Sequence, residues 1–281
     1  MHDVDVWSDD RRMRADQEIY THGHAASVLR SHANRTVATS AAYLIPHLRS
    51  GARVLDVGCG PGTITTDLAT RVAPGEVVGI EPTPGPLEDA RAHAAAVGAK
   101  NVTFAVGDAY ALGYPDDSFD VVHAHQVLQH LGDPVAALRE MLRVCAPGGV
   151  VAARDADYAA MTWYPADPRL DRWLTVYRAV AHGNGAEPDA GRRMLAWANA
   201  AGAAEVTASA SVWCYATPDQ RAWWGGMWAD RILTSAITRQ AVEGGHAGEA
   251  ELQAISAAWR AWAAQDDGWF AIIHGEVLCR R

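Results

Sequence analysis

A glycine-rich turn at residues 58–62 is the first part of the sequence that could bind a ligand. Residues 54–57 (VLDV) form an apolar run typical of a buried strand, and residues 58–62 (GCGPG) follow directly. Glycines let a ligand approach the backbone, and the start of the next helix favours polar or anionic groups. The sequence therefore predicts a ligand at the carboxyl end of this strand.

Two acidic residues, Glu81 and Asp108, follow the next two apolar runs. Glu81 ends the run 77–81, where a carboxylate can accept hydrogen bonds from both hydroxyls of a ribose. Asp108 comes just after the run 102–106, where it could meet the amino group of an adenine. The turn has GxGxG spacing, with Thr63 where a dinucleotide-binding turn has its last glycine. This pattern favours an adenosine-containing cofactor other than NAD.

Alternating strands and helices would bring these residues to one edge of a sheet, and the hydrophobic periodicity predicts such an alternation. The predicted strands are 53–57, 77–81, 102–106, 119–124, 150–153, 205–215 and 269–279. The predicted helices are 24–48, 63–72, 87–97, 134–145 (closed by Gly148-Gly149), 170–181, 191–201, 218–243 and 250–264. The fold class is α/β: a Rossmann-like, seven-stranded, mostly parallel sheet with helices on both faces. We expect an N-terminal helical lid at 1–50, a cofactor-binding core at 51–155, and a part at 156–281 that completes the sheet and inserts a helical cap before the last strand.

Six segments in this order resemble the class I S-adenosylmethionine-dependent methyltransferases, particularly the C-methyltransferases of ubiquinone and menaquinone biosynthesis. They are LDVGCGPG (55–62), Glu81, GDA (107–109), PDDSFDVV (115–122), QVLQHL (126–131) and RVCAPGG (143–149). The resemblance implies S-adenosylmethionine as the cofactor and S-adenosylhomocysteine as its product. It also implies that a methyl group passes to a small molecule.

The resemblance further implies a role for each matching residue. The residues that would surround the methionine part are Asp56, Gly58, Cys59 and Gly60. The residues that would hold the adenosine are Glu81 on the ribose, Pro82 against the adenine, and Asp108 and Ala109 at the adenine edge. His125 and Gln126 would lie under the sulfonium. In methyltransferases of this kind the N-terminal segment often folds over the cofactor, so Tyr20 or His24 would contact the cofactor or the acceptor; the alternative for residues 20–24 is a surface turn. Gln129 stands where some relatives carry a glutamate beside the histidine corresponding to His130, so we predict no metal site.

The candidates for catalysis and acceptor binding lie partly outside these segments. Histidine can act as a general base near neutral pH, which makes His24 and His125 the candidate bases. The tryptophan-rich second half predicts an apolar or aromatic acceptor under a cap formed by Tyr158, Trp163, Trp224 and Trp228. The alternative for these aromatic side chains is core packing. Asp157 has two interpretations, a base for the acceptor or the cap of a loop.

Composition limits the partners to small molecules. The net charge is −9 and Lys100 is the only lysine, which disfavours a nucleic-acid partner. The four cysteines form no CxxC pair, and no apolar run is long enough for a membrane span, so we expect a cytoplasmic protein. A homodimer is possible.

Two other functions remain open from the sequence. The first is an S-adenosylmethionine-binding protein of the same fold with non-methylating chemistry, such as a cyclase. The second is an NAD-dependent oxidoreductase, against which Asp108 and the GxGxG spacing count. The acceptor, and whether oxygen, nitrogen or carbon is methylated, stay open as well.

Overall fold

The computed structural model describes residues 35–281. Tyr20, His24 and most of the predicted lid at 1–50 lie outside the described residues. Within the described part of the chain, no helix is both long and apolar enough to cross a membrane.

A single twisted sheet connects the described elements. Its strands are β1 (Val54–Val57), β2 (Val77–Glu81), β3 (Val102–Val106), β4 (Phe119–His125), β5 (Cys145–Ala156), β6 (Thr162–Tyr164), β7 (Glu205–Tyr215) and β8 (Trp269–Arg280). The order is β3-β2-β1-β4-β5-β8, where β8 also pairs with β6 and β7. The first five strands pair in parallel, and β8 runs antiparallel to its three neighbours. The predicted Rossmann-like sheet is confirmed.

The sheet contains one strand more than the sequence predicts. The additional strand β6 is three residues long and pairs with the beginning of β8. Three residues are too few for a recognisable alternation of apolar and polar side chains. The predicted core boundary at 155 falls one residue before β5 ends.

Nine α-helices accompany the sheet in the described residues. They are α1 (Val37–Ser40), α2 (Thr63–Val72), α3 (Pro84–Val97), α4 (Pro134–Val144), α5 (Pro168–Gly183), α6 (Met194–Ala201), α7 (Pro218–Thr234), α8 (Ala236–Glu243) and α9 (Glu249–Ala263). The predicted start of α4 is correct, because Asp133 caps it by accepting a hydrogen bond from the backbone N–H of Ala136.

Several predicted helices differ from the structure at their ends or centres. Helix α3 begins three residues earlier than predicted, and a 3-10 helix, Ala190–Arg193, precedes α6. The predicted helix 24–48 is interrupted at Ala41, after which Ala42–His47 forms a 3-10 helix that includes Pro46. Proline lacks an N–H donor, which makes a regular α-helix unfavourable there. The predicted helix 218–243 breaks at Ser235, whose extended backbone separates α7 from α8. Helix α4 ends at Val144 rather than at Gly148-Gly149, because β5 begins at Cys145.

Three apolar clusters hold these layers together. One cluster packs α4 and α6 on one face of the sheet, and another packs α1, α2 and the 3-10 helix on the opposite face. The third fills the cap formed by α5, α7, α8 and α9 over β6 and β8. The fully buried ring of Trp173 lies at its centre, with edge-on contacts to Trp228 at 4.6 Å and to Trp259 at 4.8 Å between ring centroids.

Candidate cofactor and acceptor site

The glycine turn after β1 has a backbone that other residues adopt only with strain. Gly58, Gly60 and Gly62 have φ angles of 69°, 54° and 76°, in the left-handed region. A methyl group on Gly58 would overlap with the side chain of Val127, in the loop after β4. The turn and the β4 loop are thus packed directly against each other, and both lie at the carboxyl edge of the parallel strands.

Glu81 is bound to this turn by its side chain. Its Oε1 accepts a hydrogen bond of 2.6 Å from the backbone N–H of Gly60. Burial raises the pKa of the Glu81 carboxyl to about 7, Asp56 adds to the increase, and the Gly60 bond opposes it. A carboxylate that is desolvated and has one hydrogen bond within the protein retains acceptor capacity for hydroxyl donors.

Asp56 lies beneath the turn and is almost completely buried. Its Oδ2 accepts a hydrogen bond of 2.6 Å from the Thr65 hydroxyl, and its Oδ1 lies 2.7 Å from Nδ1 of His123. The predicted contact of Asp56 with the methionine part stays a prediction. Because both oxygens are bonded within the protein, the shown role of Asp56 is to connect β1, α2 and β4 under the turn.

Asp108 and its neighbours form the adjacent edge of the same crevice. The backbone N–H of Gly107 donates to the Glu81 carbonyl at 2.9 Å, which brings the loop after β3 beside the end of β2. Oδ1 of Asp108 accepts a hydrogen bond of 2.8 Å from the backbone N–H of Tyr110. Pro82 and Ala109 directly follow Glu81 and Asp108 in the chain. The positions predicted for ribose and adenine contacts therefore converge on one edge.

Cys59 is part of the turn, and its side chain is buried. Burial and the nearby carboxylates of Asp56 and Glu81 raise the pKa of the thiol far above its ordinary value. The thiol is therefore protonated at physiological pH, and its position in the turn allows backbone or packing contacts rather than nucleophilic chemistry.

Gln126, in the loop after β4, lines a cavity. It has a φ of 55°, rare for a residue with a side chain, and its Oε1 accepts a 2.7 Å hydrogen bond from Arg35. Its Nε2 donates to Nε2 of His274 at 3.0 Å. These two contacts fix the Gln126 amide at the mouth of the cavity after β4.

His125 has a different environment from the one expected of a base at the cofactor. Its ring is buried near Trp213 and His274, it does not line the cavity, and neither nitrogen has a partner among the described residues. Burial lowers the pKa of His125 well below its ordinary value, and the positive charges of Arg35 and Arg154 lower it further. The imidazole is therefore neutral at physiological pH.

A cavity of about 620 Å³ lies between the carboxyl edge of the sheet and the cap. Three of the four predicted cap residues, Tyr158, Trp224 and Trp228, line it. Trp163 does not: its ring stacks on Phe270 at 5.7 Å in the apolar cluster of the cap. A cavity of this size and aromatic lining suits a small molecule.

Two polar residues near the cavity have structural contacts. Asp157 accepts hydrogen bonds from the backbone and guanidinium of Arg192 and from the backbone N–H of Ala160, so its interpretation as a loop cap is the one that the contacts support. His130 contacts Gln129 at 3.0 Å, and burial lowers its pKa to about 3. Among residues 35–281, no group of three or more histidine, cysteine or acidic side chains is arranged to hold a metal ion.

Sequence reasoning missed the polar group in the cavity wall that β5, β7 and β8 contribute. Arg154, Ser211 and Glu276 line the cavity, and Arg154 and Glu276 face each other across the β5–β8 pairing. A charged residue directly after the apolar run 150–153 was an available signal, because arginine is rarely buried without a specific partner.

The residues of the crevice fit an adenosyl sulfonium cofactor. The partly desolvated Glu81 carboxylate suits two vicinal hydroxyls, Asp108 Oδ2 suits an amino donor, and the side-chain-free turn admits a ligand close to the backbone.

Comparisons with known proteins agree with this assignment. The family described as "Methyltransferase domain" matches residues 48–208. An uncharacterized methyltransferase of Schizosaccharomyces pombe is 35% identical over 275 residues, covering 95% of this chain and 98% of that protein. A probable methyltransferase of Aspergillus luteorubrus is 30% identical over 279 residues, covering 92% and 96%. The solved structure of the YcgJ protein of Bacillus subtilis has the same fold, with a TM-score of 0.56, 23% identity, and coverage of 85% of this chain and 97% of that one.

Proposed function

Because the chain belongs to the class I S-adenosylmethionine-dependent methyltransferases, we propose that it methylates a small, apolar or aromatic molecule bound in the cavity under the cap. The observation that carries this proposal is that the loop after β4 borders both the turn and the cavity. Val127 packs on Gly58, and the preceding residue Gln126 lines the 620 Å³ cavity.

In the proposal, the crevice on one side of that loop binds the cofactor, and the cavity on the other side binds the acceptor. Glu81 and Asp108 hold the adenosine, while the turn at Gly58 and Gly60 leaves space for the methionine part. S-adenosylmethionine, when bound, would supply an electrophilic methyl group, and its transfer would leave S-adenosylhomocysteine. The protein's contribution is alignment and exclusion of water, which together are worth roughly 7–11 kcal/mol in well-oriented reactions.

Proton removal is needed only when the acceptor is a hydroxyl or an amine. His24 and His125 remain the candidate bases. A neutral imidazole is the form that accepts a proton, but the lowered pKa of His125 makes it a weak base. A carbon or thiol acceptor that is already anionic has lost its proton and would not need a base.

Binding and turnover test the proposal in two steps. Isothermal titration calorimetry should show micromolar or tighter binding of S-adenosylhomocysteine and no binding of NAD. Release of S-adenosylhomocysteine from S-adenosylmethionine should then depend on a member of a panel of hydroxylated and aminated aromatic compounds. The matched control is Glu81→Gln, which keeps the size of the side chain but removes its charge. Binding of the cofactor with no release for any acceptor would favour the cyclase-type alternative, and absence of cofactor binding would refute the proposal.

A further inference from the structure

Arg154 is a buried cation at the carboxyl end of β5, and its side chain lines the cavity. It is 1% exposed. Its Nε donates to the Ser211 hydroxyl at 3.0 Å and to Oε1 of Glu276 at 3.3 Å. Its Nη1 and Nη2 have no hydrogen-bond partner among the described residues. Buried donors without partners are uncommon because losing water without a replacement costs free energy.

Among the described residues, the groups that contact the guanidinium bond Nε or cover one face, and none of them bonds Nη1 or Nη2. The Trp213 ring lies 4.8 Å from Cζ and covers one face. The Glu276 carboxylate also accepts hydrogen bonds from Ser209 and Ser211, at 2.7 and 2.5 Å, and it makes no hydrogen bond with either Nη atom. The edge that carries Nη1 and Nη2 presents two parallel N–H donors, the arrangement that matches the two oxygens of a carboxylate.

The charge of Arg154 persists in this environment. Burial lowers its pKa to about 10, while Glu276 acts in the opposite direction. The side chain therefore remains protonated at physiological pH and can attract an anion in a site with little water.

The geometry points to an acceptor that carries a carboxylate, bound in bidentate fashion by Nη1 and Nη2 of Arg154, with its apolar body against Trp224 and Trp228. This inference rests on the proposed function and adds to it the chemical class of the acceptor. The aromatic side chains that line the cavity suit the body of such a molecule. Glu276 disfavours a dianionic group at the same place, so a carboxylate suits the site better than a phosphate does.

Matched pairs of an acid and its amide test the inference directly. Calorimetry would use protein saturated with S-adenosylhomocysteine and three pairs of increasing size: benzoate and benzamide, indole-3-acetate and indole-3-acetamide, 2-naphthoate and 2-naphthamide. We expect at least one acid to bind about tenfold or more tightly than its amide, which corresponds to 1.4 kcal/mol. Phenyl phosphate is expected to bind more weakly than the best acid.

Variants at the same site separate recognition from folding. Arg154→Met alone leaves Glu276 buried without its cation, so the double variant Arg154→Met with Glu276→Gln removes both charges. In the double variant the acid-to-amide ratio should fall to within about threefold of one, with the affinity for S-adenosylhomocysteine unchanged. Arg260→Gln, at an exposed ion pair with Asp230, is the control and should leave the ratio intact.

The outcomes distinguish this inference from the function on which it rests. No preference for any acid in wild-type protein that binds S-adenosylhomocysteine would overturn the carboxylate assignment and leave the methyltransferase proposal standing. The same holds if phenyl phosphate binds best, or if the double variant loses the cofactor instead of the preference. Wild-type protein without affinity for S-adenosylhomocysteine would overturn both.

Discussion

Asp56 and His123 form a buried pair at the base of the glycine turn, with 2.7 Å between Oδ1 and Nδ1. The pair joins β1 to β4, whose residues 56 and 123 are also register partners in the sheet. A third group, the hydroxyl of Thr65 on α2, completes the contacts of the carboxylate. The turn that faces the cofactor crevice therefore rests on a polar network that is itself shielded from solvent.

Removing the carboxylate should destabilise the fold. We expect Asp56→Ala to lower the free energy of unfolding by about 3 kcal/mol, because His123 and Thr65 would lose a buried acceptor. Thr65→Val, which removes one donor and keeps the shape, should cost about 1 kcal/mol. Urea denaturation followed by tryptophan fluorescence measures both values. A stable Asp56→Ala protein that has lost only its affinity for S-adenosylhomocysteine would show instead that Asp56 acts on the cofactor.

The packing of Gly58 against Val127 leads to a second prediction. Gly58→Ala should weaken S-adenosylhomocysteine binding by tenfold or more, because the added methyl group overlaps with Val127 and the φ of 69° is strained for alanine. Adding Val127→Ala removes the overlap but not the strain, so it should restore part of the affinity. The affinities are measured by calorimetry.

Gly98 provides the matched control for that experiment. It has a φ of 71° at the end of α3, but a methyl group there would meet open space. Gly98→Ala should therefore cost about 1 kcal/mol of stability and leave the affinity unchanged. Equal effects of the two single substitutions on affinity would contradict a specific role for the turn.

The sequence predicted the sheet well because its signals are local. The predicted strands 53–57 and 77–81 are short apolar runs; the second coincides with β2, and the first begins one residue before β1. The strand β6 was missed because it is only three residues long, and the break at Ser235 was missed because no glycine or proline marks it in the sequence. Glu81 is the last residue of β2 and Asp108 lies two residues after β3, so their convergence could be predicted from the parallel order alone.

The cavity wall could not be predicted in the same way. Arg154, Ser211 and Glu276 are far apart in the chain and meet only because β8 pairs with both β5 and β7. The prediction of cavity-lining tryptophans was correct only in part. Trp224 and Trp163 have similar sequence surroundings, but only Trp224 lines the cavity. Which indole faces a ligand depends on how α7 sits over β8, and that relationship has no local signal.

The shifted pKa of Glu81 gives a third prediction, on pH dependence. Its carboxyl has a pKa of about 7 in the protein without cofactor, and the ionised form is the one that accepts two hydroxyl donors. As the pH falls below 7, a growing fraction must lose a proton before binding, so affinity decreases toward acid. Between pH 8 and pH 6 we expect the Kd of S-adenosylhomocysteine to rise about tenfold.

Glu81→Gln is the reference for that pH series. The variant cannot titrate at this position, so its Kd should be weaker throughout and nearly constant between pH 6 and pH 8. Calorimetry in buffers of different ionisation enthalpy would also detect the proton released by the wild-type protein on binding. A wild-type Kd that does not change with pH would mean that Glu81 is ionised throughout or does not touch the ribose.

The different positions of Trp224 and Trp163 support a fourth prediction, on the apolar part of acceptor binding. Trp224 lines the cavity and stacks on Tyr215 with 4.4 Å between ring centroids, while Trp163 stacks on Phe270 outside the cavity. Trp224→Phe should weaken the binding of neutral 2-naphthamide about threefold to tenfold by removing part of the apolar wall. Trp163→Phe should lower the free energy of unfolding by about 1–2 kcal/mol and leave that affinity unchanged. Calorimetry on both variants measures the affinity, and urea denaturation measures the free energy of unfolding. An equal loss of affinity in Trp163→Phe and Trp224→Phe would contradict the prediction. It would show that the affinity depends on the overall stability of the cap rather than on contact of the ligand with Trp224.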